Sequence, residues 1–338
     1  MKAKLSVAIC THNGGPFVED QLNSIAAQTR LPDEIIVCDD QSRDETVRIV
    51  KRFAADSRLP LRLIVNSVNL GVVKNFEQAI GLCTGDIIAL CDQDDVWQPT
   101  KLAQIETAFH ESPAAGLVFT DAELVDEQLR PTGCSLWEKL EVGAESIQQL
   151  KSRDAFDELI TGSIVTGATA AFRSQFNSLV LPIPDDLPII HDAWIAILIS
   201  AVARILPVSE RLIKYRQHAR QQIGARERLS PRHGLLKQSP REALRRENPY
   251  EETIAVMSAV RGRLLAHLDH FEAQHAIGLL DAKARHLRAR AGLPKSRWLR
   301  TPRILRELFS GRYHRYSSGM YSAIKDLASP SRLTSTDI

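Results

Sequence analysis

The sequence predicts an α/β protein, a mostly parallel sheet flanked by helices and followed by a helical C-terminal extension. Three observations carry that expectation. Short apolar runs alternate with segments of helical length and spacing through roughly the first hundred residues, every run but the third ends in polar residues, and beyond Gly224 the strand-like runs cease. Strands alternating with helices of this length build parallel sheets covered on both faces.

Leu5-Ser6-Val7-Ala8-Ile9-Cys10 is a strand, and Thr11-His12-Asn13-Gly14-Gly15-Pro16 turns it into a helix over 17–28. Glu34-Ile35-Ile36-Val37-Cys38 is a second strand ending in Asp39-Asp40-Gln41-Ser42, with a helix through Val47, Val50 and Phe53 behind it. Residues 61–65 make a third strand, and Asn69-Leu70-Gly71 leads into a helix that ends near Gly85. Residues 86–91 form a short apolar run bounded by Gly85 and by acids, the pattern of a strand in the middle of a sheet. They run straight into Asp92-Gln93-Asp94-Asp95-Val96-Trp97. Further along, 119–122 reads as a strand with a polar end, 124–143 as a loop, 146–160 as an amphipathic helix, and 205–213 as an edge strand. The stretch 164–173 is rich in small residues; it is either a plain buried strand or a place where backbone approaches a ligand closely. Trp137 fills a hydrophobic gap or stacks on a sugar, and the gap is the simpler reading.

The polar strand ends give the fold a purpose. Ligands in open α/β sheets bind at the carboxyl ends of the strands, so Thr11, Asn13, Asp39 and Asp92 to Asp95 are expected to line one crevice. Asp92 and Asp94 lie two apart, and their mutual repulsion in a small volume calls for a cation. Oxygen ligands with no zinc-type spacing favour Mg²⁺ or Mn²⁺. The plainer alternative is a solvated Asp-rich turn capping the helix after Pro99. No GxGxxG follows the first strand and no GxxxxGK[ST] occurs, which argues against a dinucleotide enzyme or a P-loop NTPase. A phosphatase would be expected to carry its catalytic aspartate on the first strand, where this chain has Cys10-Thr11-His12.

Composition bounds the rest. The 338 residues, 44% hydrophobic and 25% charged, are those of an ordinary globular protein large enough for two domains. A formal charge of +2 conceals an asymmetry: residues 1–224 hold 21 basic and 30 acidic side chains, net −9, whereas residues 225–338 hold 22 and 11, net +11. The division predicted is a catalytic domain over 1–224 and a basic helical region over 225–338. Cys10, Cys38, Cys83, Cys91 and Cys134 show no CxxC spacing and read as small core residues of a reducing compartment. The first apolar run is too short for a signal peptide, and 193–203 falls well short of the roughly 20 residues that span a bilayer. A cytoplasmic location is expected.

Several motifs occurring in order give the chain a resemblance. Val7-Ala8-Ile9-Cys10-Thr11-His12-Asn13, Val37-Cys38-Asp39-Asp40-Gln41-Ser42, Asn69-Leu70-Gly71 with Lys74-Asn75-Phe76, Cys91-Asp92-Gln93-Asp94-Asp95-Val96-Trp97, Thr166-Gly167 with Phe172-Arg173, His191-Asp192-Ala193-Trp194 and Tyr215-Arg216-Gln217-His218 together cover about residues 5–224. In this the chain resembles family 2 glycosyltransferases of the GT-A, Rossmann-like fold, and among them the rhamnosyltransferase-like subset of bacterial surface-polysaccharide synthesis. The resemblance implies that Thr11 and Asp39 contact the nucleotide, that Asp94 binds the metal, and that Asp92 reaches the ribose or a metal-bound water. Asn13, Lys74 and Gly167 are expected at the donor site by the same route, and His218 over the diphosphate, where it can also hold the metal. The cofactors implied are Mn²⁺ or Mg²⁺ with a UDP- or dTDP-sugar donor. Asp192 stands where the family has its general base, more often written Glu-Asp than His-Asp; as a residue alone it would also serve as an N-cap for the helix over 193–203. The implied activity is an inverting, metal-dependent transfer of one sugar to a lipid-linked or oligosaccharide acceptor in O-antigen, capsule or exopolysaccharide synthesis. A QxxRW signature of processive synthases is missing. The His191-Asp192 departure leaves a second class open, a catalytically degenerate nucleotide-sugar-binding or scaffolding protein.

The tail carries its own expectation. Ser230 to Asn248 reads as a basic linker, and Pro249-Tyr250-Glu251-Glu252 opens a helix with acids in its first turn. Ile254, Met257, Val260, Leu264, Leu268 and Phe271 form one packing stripe, and Arg285, Arg288 and Arg290 follow on a second segment. Between Trp298 and Leu327, Arg and Lys alternate with Trp, Tyr, Phe and Leu. Such helices suit an anionic membrane surface, here the inner face of the plasma membrane, through Trp298 to Tyr321 with Arg300, Arg303, Arg306 and Arg312. A helical cap on the catalytic domain or a homodimer contact is the alternative. Nothing resembles a base-reading module, so no nucleic-acid partner is expected.

Overall fold

A computed structural model of the chain describes residues 3–151, 155–160, 162, 164–219, 221, 250–294 and 296–328. The chain divides into two compact units. The first comprises Met1–Glu158, Ile164–Asp185 and Ile190–Leu229, and the second Leu159–Ser163, Asp186–Ile189 and Ser230–Ile338. The boundary at 224 and the basic linker both fall outside the described residues.

The first unit is built on one sheet. Its strands are β1 (Leu5–Thr11), β2 (Glu34–Asp39), β3 (Leu61–Val65), β4 (Ile87–Asp92), β5 (Val96–Trp97), β6 (Ala115–Val125), β7 (Pro131–Ser135), β8 (Ala170–Arg173) and β9 (Arg204–Arg216). The spatial order is β3-β2-β1-β4-β8-β6-β9-β5, with β7 paired to β6. β1 to β4 are mutually parallel as expected. β8 runs antiparallel between β4 and β6, and β5 and β7 are antiparallel to β9 and β6, so the sheet is mixed. β9 pairs on both sides, along β6 and with β5, and is therefore no edge strand. Residues 124–143 are likewise no loop: β6 continues to Val125, β7 returns along it, and a capping box on Ser135 starts the short helix α5 (Leu136–Lys139).

Helices cover both faces. α1 (Val18–Ala26), α2 (Thr46–Asp56) and α4 (Lys101–Glu111) bury Val18, Leu22, Ile25, Val50, Leu102 and Ile105 against Leu5, Val7 and Ile9 of β1. α3 (Val72–Leu82) buries Phe76, Ala79 and Ile80. The stretch read as one helix over 146–160 is two, α6 (Ala144–Lys151) and α7 (Ala155–Leu159). α8 (Asn177–Val180) is a single turn, and α9 (His191–Val202) is buried over its first ten residues, a core helix by burial as by its composition.

The second unit is helical: α10 (Glu251–Leu265), α11 (Gln274–Ala291), α12 (Arg297–Phe309), α13 (Arg312–Tyr316) and α14 (Met320–Ala328). α10 ends at Leu265 and buries Val256, Met257, Val260 and Leu264, so the packing stripe is shorter than the run from Ile254 to Phe271. Leu293, Ile304, Tyr313 and Ala323 form a small core with Leu308 packed on it. Around it runs a polar network. Arg290 grips Asp326 through Nε (2.7 Å) and a second guanidinium nitrogen (3.0 Å), Tyr313 donates its hydroxyl to the same carboxylate (2.7 Å), and His286 Nδ1 meets Glu307 at 2.8 Å. Arg300, assigned above to a membrane surface, is instead buried, donating to the carbonyls of Pro294 (3.0 Å) and Asp326 (2.9 Å). Arg312 donates to Glu307 at 2.8 Å. Burial pushes the His286 imidazole below its ordinary pKa, against the opposing pull of Glu307.

Candidate active site

The parallel register sets the first pair of residues. Thr11 lies beside Asp39 and Cys10 beside Asp92, so three strand ends finish level with one another. Thr11 Oγ1 donates to Asp39 Oδ2 at 2.8 Å, and Ser42 donates to both Asp39 oxygens, from its amide (2.8 Å) and its hydroxyl (2.6 Å). Asp39 is fully buried, and these bonds fix the carboxylate in place, occupying both lone-pair sites of Oδ2 and leaving one on Oδ1.

Asn13 holds the first loop to the second. It adopts a left-handed backbone (φ 49°), its amide donates to Ser42 Oγ (2.8 Å), and its side-chain oxygen accepts from the Arg43 amide (2.9 Å). Asp40, which the sequence reading left without a role, does the same for the third loop. It accepts from the amides of Leu70 (2.7 Å) and Gly71 (2.8 Å) and from Asn66 (3.1 Å). Lys74 is engaged elsewhere, by Glu77 (3.0 Å) and the Ile183 carbonyl (2.9 Å), and braces the segment after α8.

Gln93, the residue between the two aspartates, clamps the acid loop to β1's loop. Its oxygen accepts from the His12 amide (2.9 Å) and its nitrogen donates to the His12 carbonyl (3.1 Å). A Cβ on Gly14 would stand 2.0 Å from that Gln93 oxygen, so a side chain there would have to displace the Gln93 amide from His12.

After the acids, the two residues of β5 pair with Lys214 and Ile213, and this antiparallel stitch carries β9's end to the acid loop. The Arg216 amide donates to Asp95 Oδ1 (3.0 Å). Its guanidinium donates to the carbonyls of Asp94 (2.8 Å) and Glu127 (2.7 Å) and to Asp20 (2.8 Å), and lies 4.8 Å over the Phe17 ring. Two residues on, His218 Nε2 stands 2.9 Å from Asp94 Oδ2, with its ring 4.4 Å from Phe17. The structure therefore brings Asp94 and His218 together across 124 residues of sequence.

Asp192 is not an N-cap. α9 starts one residue earlier, with Ile190 in the capping position and no side-chain cap. Asp192 accepts from the Gly167 amide at Oδ2 (2.8 Å) and from the Ala193 amide at Oδ1 (2.7 Å). Gly167 is pressed so close that a Cβ would meet His191 Nε2 at 2.9 Å, and His191 stacks on Phe76 with centroids 3.9 Å apart.

Electrostatics tie the two halves. The buried Tyr215 hydroxyl is held well above its ordinary pKa by burial first, then by Asp95, Asp92, Asp94 and Asp192, so it feels the acid loop and Asp192 alike. Burial raises Asp95 well above the usual carboxylate range, with Asp94 and Asp92 adding repulsion, and its Oδ2 has no hydrogen-bond partner. Lys101 is fully buried, donates to the Ala168 carbonyl (2.8 Å) and sits 3.7 Å over the Trp97 ring; burial pushes it down to about 7. Cys10 and Cys91 are raised by burial, which rules against thiolate chemistry there. Among the described residues no group of three or more His, Cys, Asp or Glu is placed to hold a metal by itself. Asp94 and His218 make a set of two, which fits only an ion that keeps water and takes further oxygens from a bound diphosphate, as Mg²⁺-type ions do.

A mixed sheet whose strand ends gather these residues is of the GT-A-like fold class. In structure the chain is similar to Staphylococcus aureus TarS 1–349 in complex with UDP, at a TM-score of 0.54 and 17% identity over 85% of this chain and 71% of that one. It is also similar to mannosyltransferase PcManGT from Pyrobaculum calidifontis in complex with GDP-Man and Mn²⁺, at 0.50 and 20% over 97% and 86%. By sequence, the family described as Glycosyl transferase family 2 matches residues 6–176, and the chain belongs to that family. Among its relatives, an uncharacterized protein of Mycobacterium tuberculosis is 31% identical over 36% of each chain. An uncharacterized glycosyltransferase of Nostoc sp. is 28% identical over 64% of this chain and 65% of its own. Abequosyltransferase RfbV of Salmonella typhimurium is 32% identical over 40% and 38%. The alignment thus spans about a third of the first relative's length.

Proposed function

We propose that the protein is an inverting glycosyltransferase that moves a single sugar, in the rhamnosyltransferase-like manner, from a UDP- or dTDP-sugar to a lipid-linked or oligosaccharide acceptor of bacterial surface polysaccharide. The observation that carries this reading is the convergence of Asp94 and His218 at the strand tips, beside Asp92 and the Thr11–Asp39 pair. Asp39 and Thr11 take the nucleotide base, and the backbone at Gly167 approaches the sugar. Asp94, Asp92 and His218 would hold Mn²⁺ or Mg²⁺. When bound, the ion would neutralise charge on the departing diphosphate.

Asp192 supplies the proton transfer. Its two oxygens each accept one backbone amide, which fixes the carboxylate and leaves a lone pair on each for an acceptor hydroxyl. As the acceptor oxygen bonds to the anomeric carbon, its proton passes to Asp192 and the bond to the diphosphate oxygen breaks with its electron pair. One displacement inverts the anomeric configuration. The site works at the inner face of the plasma membrane, where a lipid-linked acceptor is presented.

Calorimetry with UDP and dTDP tests the donor site. Binding should require Mn²⁺, and Asp94→Ala should weaken it by roughly 100-fold or more with the circular dichroism spectrum unchanged. Unchanged affinity and unchanged Mn²⁺ dependence in the variant would place the donor elsewhere.

A further inference from the structure

We infer that the outward faces of α12 and α14 form a docking surface for an anionic lipid bilayer, with Trp298 as its deepest-reaching side chain. On α12, Trp298, Pro302, Leu305 and Phe309 fall at i, i+4, i+7 and i+11, one face of a helix, and all four are exposed. Trp298 is 91% exposed and Phe309 85%, extreme values for residues of that size. The opposite face is spoken for, since Ile304 and Leu308 pack in the small core with Ala323 of α14. α14 repeats the pattern: Ser322 and Ala323 are buried while Met320, Tyr321, Ile324 and Leu327 face outward. Two neighbouring helices thus each turn an apolar stripe away from their shared core.

Charge decides the occupant. Residues 296–328 hold seven Arg or Lys and two acids. Both acids are folded inward: Glu307 lies 13% exposed between His286 and Arg312, and Asp326 12% exposed against Arg290 and Tyr313. Arg297, Arg303, Arg306 and Lys325 remain exposed on the two helices that carry the apolar stripes. An apolar face bordered by cations, with its anions withdrawn and an aromatic at its end, matches an anionic headgroup layer over acyl chains. A neutral protein partner would gain nothing from that sorting. The membrane contact therefore runs through Arg303, Arg306 and Lys325, and Arg300 stays inside. This inference rests on the lipid-linked acceptor reading but can fail without it.

The molecule carries its own reporter. Trp97, Trp137 and Trp194 are buried, so Trp298 alone among the tryptophans meets solvent. With phosphatidylglycerol vesicles the full-length protein should co-sediment, its Trp298 emission should shift to the blue and lose quenching by acrylamide, and high salt should reverse both. Phosphatidylcholine vesicles should do neither. Trp298→Ser with Phe309→Ser, and separately Arg303→Glu with Arg306→Glu, should each lower vesicle binding at least about tenfold while donor hydrolysis and helical content stay as in the wild type. Absence of sedimentation, equal binding to both lipids, or binding that survives both double variants would overturn the inference. A blue shift that grows with protein concentration in the absence of lipid would overturn it in favour of a second copy of the chain. Loss of donor binding in wild type would refute the proposed function and leave the vesicle result standing.

Discussion

Two clusters in this chain are made of the same side chains and have opposite fates. In the first unit, Asp94 meets His218 and Asp95 the Arg216 amide, with Asp92 two residues before Asp94; in the second, Glu307 meets His286 and Arg312, and Asp326 meets Arg290. Carboxylates outnumber cationic side chains in the first, because the Arg216 guanidinium is spent on two carbonyls and Asp20. In the second, Arg290 and Arg312 match the two carboxylates one for one, Arg300 being spent on carbonyls, and each acid is bonded on more than one side. An ion cluster whose negative charge is left over is built to receive a cation, whereas one that closes on itself is a brace. Composition alone would not separate them; the direction of the arginines does.

That contrast is sharpest at Asp192, which stands outside either cluster yet shares Tyr215 with the first. Asp192→Asn preserves the acceptors for the Gly167 and Ala193 amides only in part and removes the proton sink. The variant should bind donor normally while kcat falls about 10²–10⁴-fold. Steady-state kinetics with a competent acceptor decides it, and near wild-type turnover would move the base to another group.

On the brace side, Asp326→Ala leaves Arg290 and Tyr313 buried without their partner. Breaking such a buried pair costs about 3–5 kcal/mol, read as a lower urea midpoint for the helical unit. A loss under about 1 kcal/mol would class the cluster with solvated surface pairs and dissolve the contrast.

The smallest effect concerns Lys101, a buried cation that Asp95 and Asp92 act on. Pushed down to about 7 from 10.5, it binds fewer protons folded than unfolded between those values, so stability rises with pH through that window. Relative to Lys101→Met, wild type should gain about 1–2 kcal/mol between pH 7 and pH 8.5. A flat difference would mean that Lys101 stays charged and offsets Asp95, and the acid loop would lose its excess.

The fold was legible where burial is uniform. β1, β2 and β4 are continuous apolar runs, and their polar tips mark the crevice without any structure. β8 and β5 were not legible in their pairing, because four- and two-residue strands carry no period of their own and exist through their partners. The alternative reading of Asp192 as a cap failed because the helix starts at His191, two residues before the expected 193. Arg216 sat in plain view in a quoted motif, but its partners Asp20 and Glu127 lie 196 and 89 residues away, beyond any local pattern. Arg300 looked like surface charge for the same reason: its acceptors, the carbonyls of Pro294 and Asp326, have no sequence signature.

The contact between Gly14 and Gln93 has a practical meaning for redesign. With a side chain at position 14 able to enter only by displacing Gln93, and Gln93 held at both ends by His12, the first loop and the acid loop behave as a lock and its ward. A substitution at residue 14 alone breaks the Gln93–His12 clamp, whereas one paired with a smaller residue at 93 removes the overlap. The two loops are therefore to be redesigned together, in the same clone.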